Sequence, residues 1–414
     1  SSCSCANGNG AAIYASLSSG SSGSVSITGT ISTFSSCTVS TTSGLGGAIY
    51  LDLASGTETQ YDLTDASYLT GNNAQYGKSL FINAFDLSAA VQMNDAERIK
   101  LGALNPETDF YNLMGYDNAF GTLAIPLYYV YTAVKNDIYH VNNAAVSYTI
   151  GSGYNNKYCG HLGWPCLTIQ YSIQLTGDEE EKKIGIISEY ILNELIEIDQ
   201  SGKEVKISNS LSGSGDVTDI KSILNIEDQG KFQVTNGTLS FDKITFSINT
   251  NALEGHIITG STQSTKIQID NCIMKTTTAS SAIKTGLVEV EYGILSVTNL
   301  NIKDMIIQDR SIIKVDEGTN VGIVNIIGCT FENMTRTGDN QKGGVIEGYL
   351  GSDNGQLRVS STFKFVTLRI PYSTSTSPVF IADDAVVVFI IQLSIYIFVD
   401  YVDPVIICPS NALY

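Results

Sequence analysis

The chain has 414 residues, 15% of them charged and 43% hydrophobic, with 41 acidic side chains against 23 basic ones. A formal net charge of -18 excludes the basic stripe that nucleic acid requires, and leaves solubility or loose Ca2+ binding as uses of the acidity. Abundant Ser, Thr, Gly and Asn favour short strands and tight turns over a helical bundle.

Read from its start, the segment Ser1–Cys5 resembles a mature or processed terminus. Three small-small-apolar-aromatic segments follow: Ala11–Tyr14, Gly46–Tyr50 and Gly77–Phe81, the last two beginning 31 residues apart. Phe34-Ser35-Ser36-Cys37 stands before the second, and Asn72–Tyr76 before the third. Paired Gly ahead of a strand suits a positive-φ turn that leads into close packing. From about residue 85 to 150 the rhythm breaks. Asp95–Leu101 is predicted as a short helix, and Leu113–Asp117 and Ala124–Tyr131 as an inserted loop and an edge strand.

Cys159–Cys166 is a turn-rich loop whose two cysteines are predicted to pair, since the chain has eight cysteines and a composition suited to an oxidising compartment. A zinc site would add His161 but has no evident fourth ligand. Leu167–Ile173 is predicted as a short helix closing the end of a stack of coils. Lys183–Asp199 fits either period; strands are expected because Val205-Lys206-Ile207 resumes a strand directly afterwards.

One apolar pattern then recurs four times, in Leu239–Phe246, Ile267–Met274, Leu295–Ile302 and Val324–Phe331, with starts 28, 28 and 29 residues apart. A period of this length marks a solenoid of coils that cannot bury their apolar faces singly, and the period-two alternation makes those coils of strands. Between the second and third apolar positions lie Asp242-Lys243, Asp270-Asn271, Thr298-Asn299 and Ile327-Gly328. Asn or Gly at the second slot suits a left-handed residue where the strand bends and resumes. Phe241, Ile269, Val297 and Ile326 are predicted to form one file, and Ile244, Cys272, Leu300 and Cys329 another. Cys272 and Cys329 sit two coils apart, too far to bond, and read as buried small hydrophobes. A further file is predicted in Ile257-Ile258, Ala282-Ile283, Ile312-Ile313 and Val345-Ile346. The apolar run Ala385–Val399 is shorter than the ~20 residues a membrane helix needs and reads as strands buried on both faces.

The fold class expected is all-β: a right-handed parallel β-helix in two stacked or tandem segments, with short helices and an irregular insertion. Residues 1–150 form the first segment and 151–414 the second, opened by the Cys159–Cys166 loop. Phe34–Cys37 followed by Gly46–Tyr50 resembles the Phe-x-x-Asn and Gly-Gly-Ala-Ile repeats of polymorphic outer membrane proteins. Large secreted protist proteins with a pectin-lyase-like β-helix carry similar repeats, and Cys159–Ile173 resembles the element that opens a β-helix in them. The resemblance implies surface display, adhesion or structural assembly, and carries no catalytic residue with it.

Candidate acids for a polysaccharide lyase or hydrolase are Asp304, Asp309 and Arg310; Asp316 and Glu317; and Glu332, Arg336 and Asp339. None recurs at corresponding positions of adjacent coils, the way a solenoid would build a cleft, so they read as solvated loop charges. His140, His161 and His256 are scattered, and no nucleophile elbow or phosphate loop is present. Asp316–Asn320 and Gly351–Gly355 could touch Ca2+ but read as ordinary turns; no cofactor is expected. Asn236 and Asn333 are glycosylation acceptors in a eukaryotic host, Asn236 in a turn ahead of a repeat copy. Together these features suggest a non-enzymatic extracellular structural protein of a surface coat or filament. Its partners would be copies of itself or related subunits, stacked end to end because neither end shows a polar cap. A host- or glycan-binding adhesin, presenting exposed aromatic side chains such as Tyr on one face, is the alternative after the enzyme.

Overall fold

Leu239–Phe246 and its three later copies lie side by side as parallel strands. Phe241, Ile269, Val297 and Ile326 are in register across Lys231–Asp242, Thr265–Asp270, Gly293–Thr298 and Val321–Glu332. In this computed structural model the described residues are 2–91, 99–102, 110–143, 153–209, 222–278, 281–315, 321–338, 345–349, 356–364, 367–369, 382–383 and 386–389. All four residues of the file are buried. So are Ile244, Cys272, Leu300 and Cys329 beyond the bend, and both cysteines are thiols. Alternate residues must point to opposite faces of a strand, so a 28-residue period that preserves this alternation brings each apolar side chain over its predecessor.

The bend is built as its residues require. Lys243, Asn271, Asn299 and Gly328 all have positive φ, at 58°, 52°, 55° and 67°. Asn271 Nδ2 donates to Asp242 Oδ1 at 3.3 Å, and Asn299 Nδ2 donates to Asn271 Oδ1 at 3.2 Å, so the corner residues of successive coils form a side-chain ladder. At the next coil Gly328 leaves room for that ladder, since a Cβ there would lie 2.6 Å from Asn299 Oδ1. Asn271→Ala is therefore expected to cost about 1–2 kcal/mol, from a strained left-handed backbone and a lost hydrogen bond. Asn271→Gly should recover the backbone part, and urea unfolding of the two variants separates the contributions.

The further apolar file differs from expectation at one coil. Its members are Ile258, Val288, Ile313 and Ile346, paired in sequence. Ala282-Ile283 instead pairs with Ile306–Gln308, which pairs with Thr335–Thr337, in a separate small sheet. Val288 stands only 7 residues before the start of its repeat copy at Leu295, against 9 for Ile258 before Ile267 and 11 for Ile313 before Val324. Counting back from the repeat copy therefore lands on the wrong side of the coil.

The chain falls into two compact units, Ser1–Ala133 and Val134–Tyr414. In the first, Ile13, Ile49 and Leu80 stack in register, as do Tyr14, Tyr50 and Phe81. Leu113–Asp117 is a further parallel strand on Leu80–Ala84, a correction to its reading as part of an insertion. Its Gly115 lies against the Ile82 carbonyl and Leu87, where a Cβ would sit 2.6 and 2.8 Å from them. Of Ala124–Tyr131, Ile125–Pro126 is a short antiparallel strand and Leu127–Tyr131 is helical. Most of Asp95–Leu101 lies outside the described residues; Ile99–Leu101 is a 3-10 turn.

Ile138–Val141, expected within the insertion that ends near residue 150, pairs in parallel with Glu181–Ile186 and so belongs to the second unit. Cys159 and Cys166 are joined by a disulfide with their Cα atoms 4.8 Å apart. Both sulfurs are used, so the zinc reading with His161 fails. Cys166 N donates to His140 O at 2.8 Å, and Asn142 N to Cys166 O at 3.0 Å, so the loop lies on the edge of the Ile138–Val141 strand. Helix Ile169–Leu175 follows, N-capped by Thr168, whose side chain accepts from Tyr171 N. Lys182 Nζ donates to the carbonyls of Ile173 and Gly177, at 3.0 and 2.5 Å, satisfying the helix end. Lys183–Asp199 is built of strands, namely parts of Glu181–Ile186 and Leu195–Asn209 with Glu189–Leu192 between them. Of the Ala385–Val399 run, Val386–Phe389 pairs in parallel with Gln356–Val359 and the remainder lies outside the described residues. Among the described residues no helix is long and apolar enough to cross a membrane.

Candidate functional site: a charged file across adjacent coils

The register that aligns Ile258, Val288, Ile313 and Ile346 also aligns the residue after each of them. Thr259, Glu289, Lys314 and Glu347 therefore follow one another across four neighbouring strands. None of these four residues is among the charged candidates read from the sequence. The signal is present in the residues, as Ile258-Thr259, Val288-Glu289, Ile313-Lys314 and Ile346-Glu347, once Val288 replaces Ile283 in the alignment.

His256 completes the group. It pairs in register with Gly286, and a Cβ at that glycine would collide with the imidazole and with the Ser311 carbonyl, so the missing side chain makes the space for the ring. His256 Nδ1 lies 3.0 Å from Glu289 Oε2, and Nε2 lies 3.2 Å from Ser311 O. Both partners are acceptors, and only the imidazolium form donates to both at once. The other carboxylate oxygen, Glu289 Oε1, accepts from Lys314 Nζ at 2.6 Å. The His256 side chain is 1% exposed, with Glu289 and Lys314 at 22% and 20%. The hydrogen bond from His256, with a further one from Lys314, outweighs burial and holds the Glu289 carboxyl down at about 2.

This carboxylate is suited to holding coils together rather than to taking a proton. A general base works best with a pKa near the operating pH, and Glu289 is far below it with both oxygens engaged. One carboxylate held by the His256 imidazole and the Lys314 ammonium, in a half-buried site between successive strands, acts as a charged clasp. Because the folded pKa of about 2 lies below the 4.5 of a free carboxyl, this stabilisation is fully present above pH 4.5 and is lost as pH falls toward 2. Acid titration of stability should therefore show a loss between those values that is absent in Glu289→Gln.

Beside the clasp, Arg336 and Glu347 are both buried, and burial pushes the Arg336 guanidinium down while Glu347 and Asp309 oppose the shift. Arg336 is in register with Ile307, a position that is apolar in the preceding coil. Other sequence candidates are not assembled into a cleft. Asp304 accepts from Asn333 Nδ2 at 2.8 Å, Arg310 lies 3.7 Å from Glu254, and Glu332 pairs with Lys303 at 2.9 Å. Asp316, Glu317, Asp339 and both candidate Ca2+ loops lie outside the described residues. His140 is buried with Nδ1 3.0 Å from Gly160 O.

Of the two glycosylation acceptors, Asn333 is exposed at a left-handed corner (φ 53°). Asn236 lies half-buried inside the Lys231–Asp242 strand, paired with Asp199 where the register shifts, rather than in a turn. A shallow groove is lined by Asn193, Glu194, Leu195, Asp228, Gln229, Asn251 and Leu253, with Asn251 Nδ2 donating to Asp228 Oδ1 at 3.1 Å. Among the described residues no three His, Cys, Asp or Glu side chains converge as a metal site would require. Comparison with protein-family models, with curated proteins and with solved structures finds no match to this chain.

Proposed function

We propose that the chain is a right-handed parallel β-helix that serves as a non-enzymatic structural protein of an extracellular coat or filament. The observation that carries this reading is the repetition of the same positions, coil after coil, from core file to corner ladder. Parallel strands linked by crossovers are right-handed in nearly all proteins, which supports the hand. A solenoid of this kind offers its neighbours a surface with a fixed spacing of about 4.8 Å, and subunits that join end to end by one heterologous contact form a filament. The repeat resemblance in Phe34–Cys37 and Gly46–Tyr50 supports surface display. Electron microscopy and light scattering of the full chain at rising concentration test the assembly. Elongated polymers of uniform width are the expected result, and a monodisperse monomer at every concentration would sink the idea.

The charged file favours one second reading, a polysaccharide lyase or hydrolase, because His256, Glu289 and Lys314 come from three adjacent coils. That reading requires cleavage of an acidic polysaccharide that disappears in Glu289→Gln. Their mutual neutralisation argues instead for the structural role.

A further inference from the structure

The N-terminal cysteines come together in a way that neither the core files nor the charged clasp uses. Thr38 N donates to Cys3 O at 2.8 Å and Cys5 N donates to Thr38 O at 2.9 Å, which sets Ser4 opposite Thr38 as a parallel pair. Cys3 and Cys37 are then opposite one another on adjacent coils, with side chains on the same face. Their thiols are within hydrogen-bonding reach of each other. Cys37 is fully buried and Cys3 partly exposed. Neighbouring strands lie about 4.8 Å apart, inside the roughly 4.4–6.8 Å between Cα atoms that a disulfide spans. Cys5 points elsewhere, its Sγ donating to Asn7 O at 3.3 Å.

We propose that Cys3 and Cys37 are a disulfide-forming pair, a covalent staple between the first two coils of the N-terminal unit. It is independent of the proposed assembly. The oxidant is a small-molecule disulfide such as glutathione disulfide. Cys3, the thiol that solvent reaches, loses its proton and attacks one sulfur of the reagent, releasing the first glutathione thiol and leaving a mixed disulfide on Cys3. Cys37 gives up its proton and attacks Cys3 Sγ, forming the Cys3–Cys37 bond and releasing the second glutathione thiol. Two protein thiols are oxidised and one reagent disulfide is reduced, so two electrons pass between them. Burial pushes the Cys37 thiol up, which makes it slow to react with a reagent in solution and leaves its attack on the adjacent Cys3 sulfur as its favoured route.

The test uses the full chain, equilibrated in glutathione redox buffers, quenched with iodoacetamide and mapped by mass spectrometry without reduction. The expected result is a Cys3–Cys37 crosslinked peptide, formed in the folded chain. Its closure of a 34-residue separation should raise the melting temperature of the N-terminal unit by roughly 5 °C or more. Cys3→Ser, which leaves the buried Cys37 in place, should abolish both the crosslink and the rise. Recovery of Cys3 as a glutathione adduct with Cys37 still alkylated on unfolding, or of Cys3 bonded to Cys5 or Cys408, would overturn the proposal. So would the crosslink forming without a change in melting temperature, since the staple would then hold nothing.

Discussion

Phe241→Ala should destabilise the second unit by about 3–5 kcal/mol, the range for removing a large aromatic side chain from a close-packed core. Phe241 is 1% exposed and stands between two other fully buried rings, Phe232 at 5.2 Å and Phe246 at 5.1 Å between centroids, both edge to face. These three rings fill one level of the stack, while Ile258, Ile269 and Met274, also buried, stand over them in the next. A cavity at Phe241 cannot be closed by collapse of one strand, because its backbone is pinned on one side by the Leu195–Asn209 strand and on the other by Thr265–Asp270. Phe241→Leu should cost less than half as much. Urea unfolding followed by circular dichroism measures both, and a loss under about 1 kcal/mol for the alanine variant would mean that the ring is not part of a continuous core.

Glu289→Ala is the second large effect, about 2–4 kcal/mol at pH 7. Removing one partner of a buried ion pair strands the other, and here it strands the Lys314 ammonium and leaves the buried His256 Nδ1 without its acceptor. The figure sits below the upper range for fully buried pairs because Lys314 keeps 20% of its side chain in water. Replacing His256 and Glu289 together, by Phe and Leu, should recover part of the loss, since no buried imidazole is then left without its carboxylate, while Lys314 keeps 20% of its side chain in water. Equal losses in the single and double variants would show that the side chains hold the coils by packing alone. Denaturant unfolding at pH 7 and at pH 3 reads both this comparison and the acid-labile part of the clasp.

Much of this architecture was legible because a repeated strand pattern writes its geometry several times over. Phe241, Ile269, Val297 and Ile326 are recognisable as a file from spacing alone, and Asn271 and Asn299 from the left-handed corner their side chains tolerate. The disulfide was readable from two cysteines framing a Gly- and Pro-containing loop. What escaped was whatever depended on the length of a loop between files. Ile283 and Val288 are both buried and apolar, and only pairing shows that Val288 belongs beside Ile258. That one ambiguity hid Glu289, and with it the charged clasp. Leu113–Asp117 escaped because Met114 and Gly115 stand where the earlier strands carry an aromatic and a large aliphatic residue. The boundary near Ala133 escaped because Ile138–Val141 is short and its partner, Glu181–Ile186, lies some forty residues downstream.

Residues far apart in sequence stand over one another on neighbouring strands. Thr238, Lys266, Ile294 and Ile323 form one such outward file, in which Ile294 and Ile323 are 39% and 43% exposed. Spin labels on encoded azido residues in place of Thr238 and Ile323 test it directly by electron paramagnetic resonance. Three strand steps separate the two backbones by about 15 Å, so a narrow distribution within roughly 15–25 Å is expected once label arms are included. A broad distribution centred beyond about 35 Å would contradict the stack.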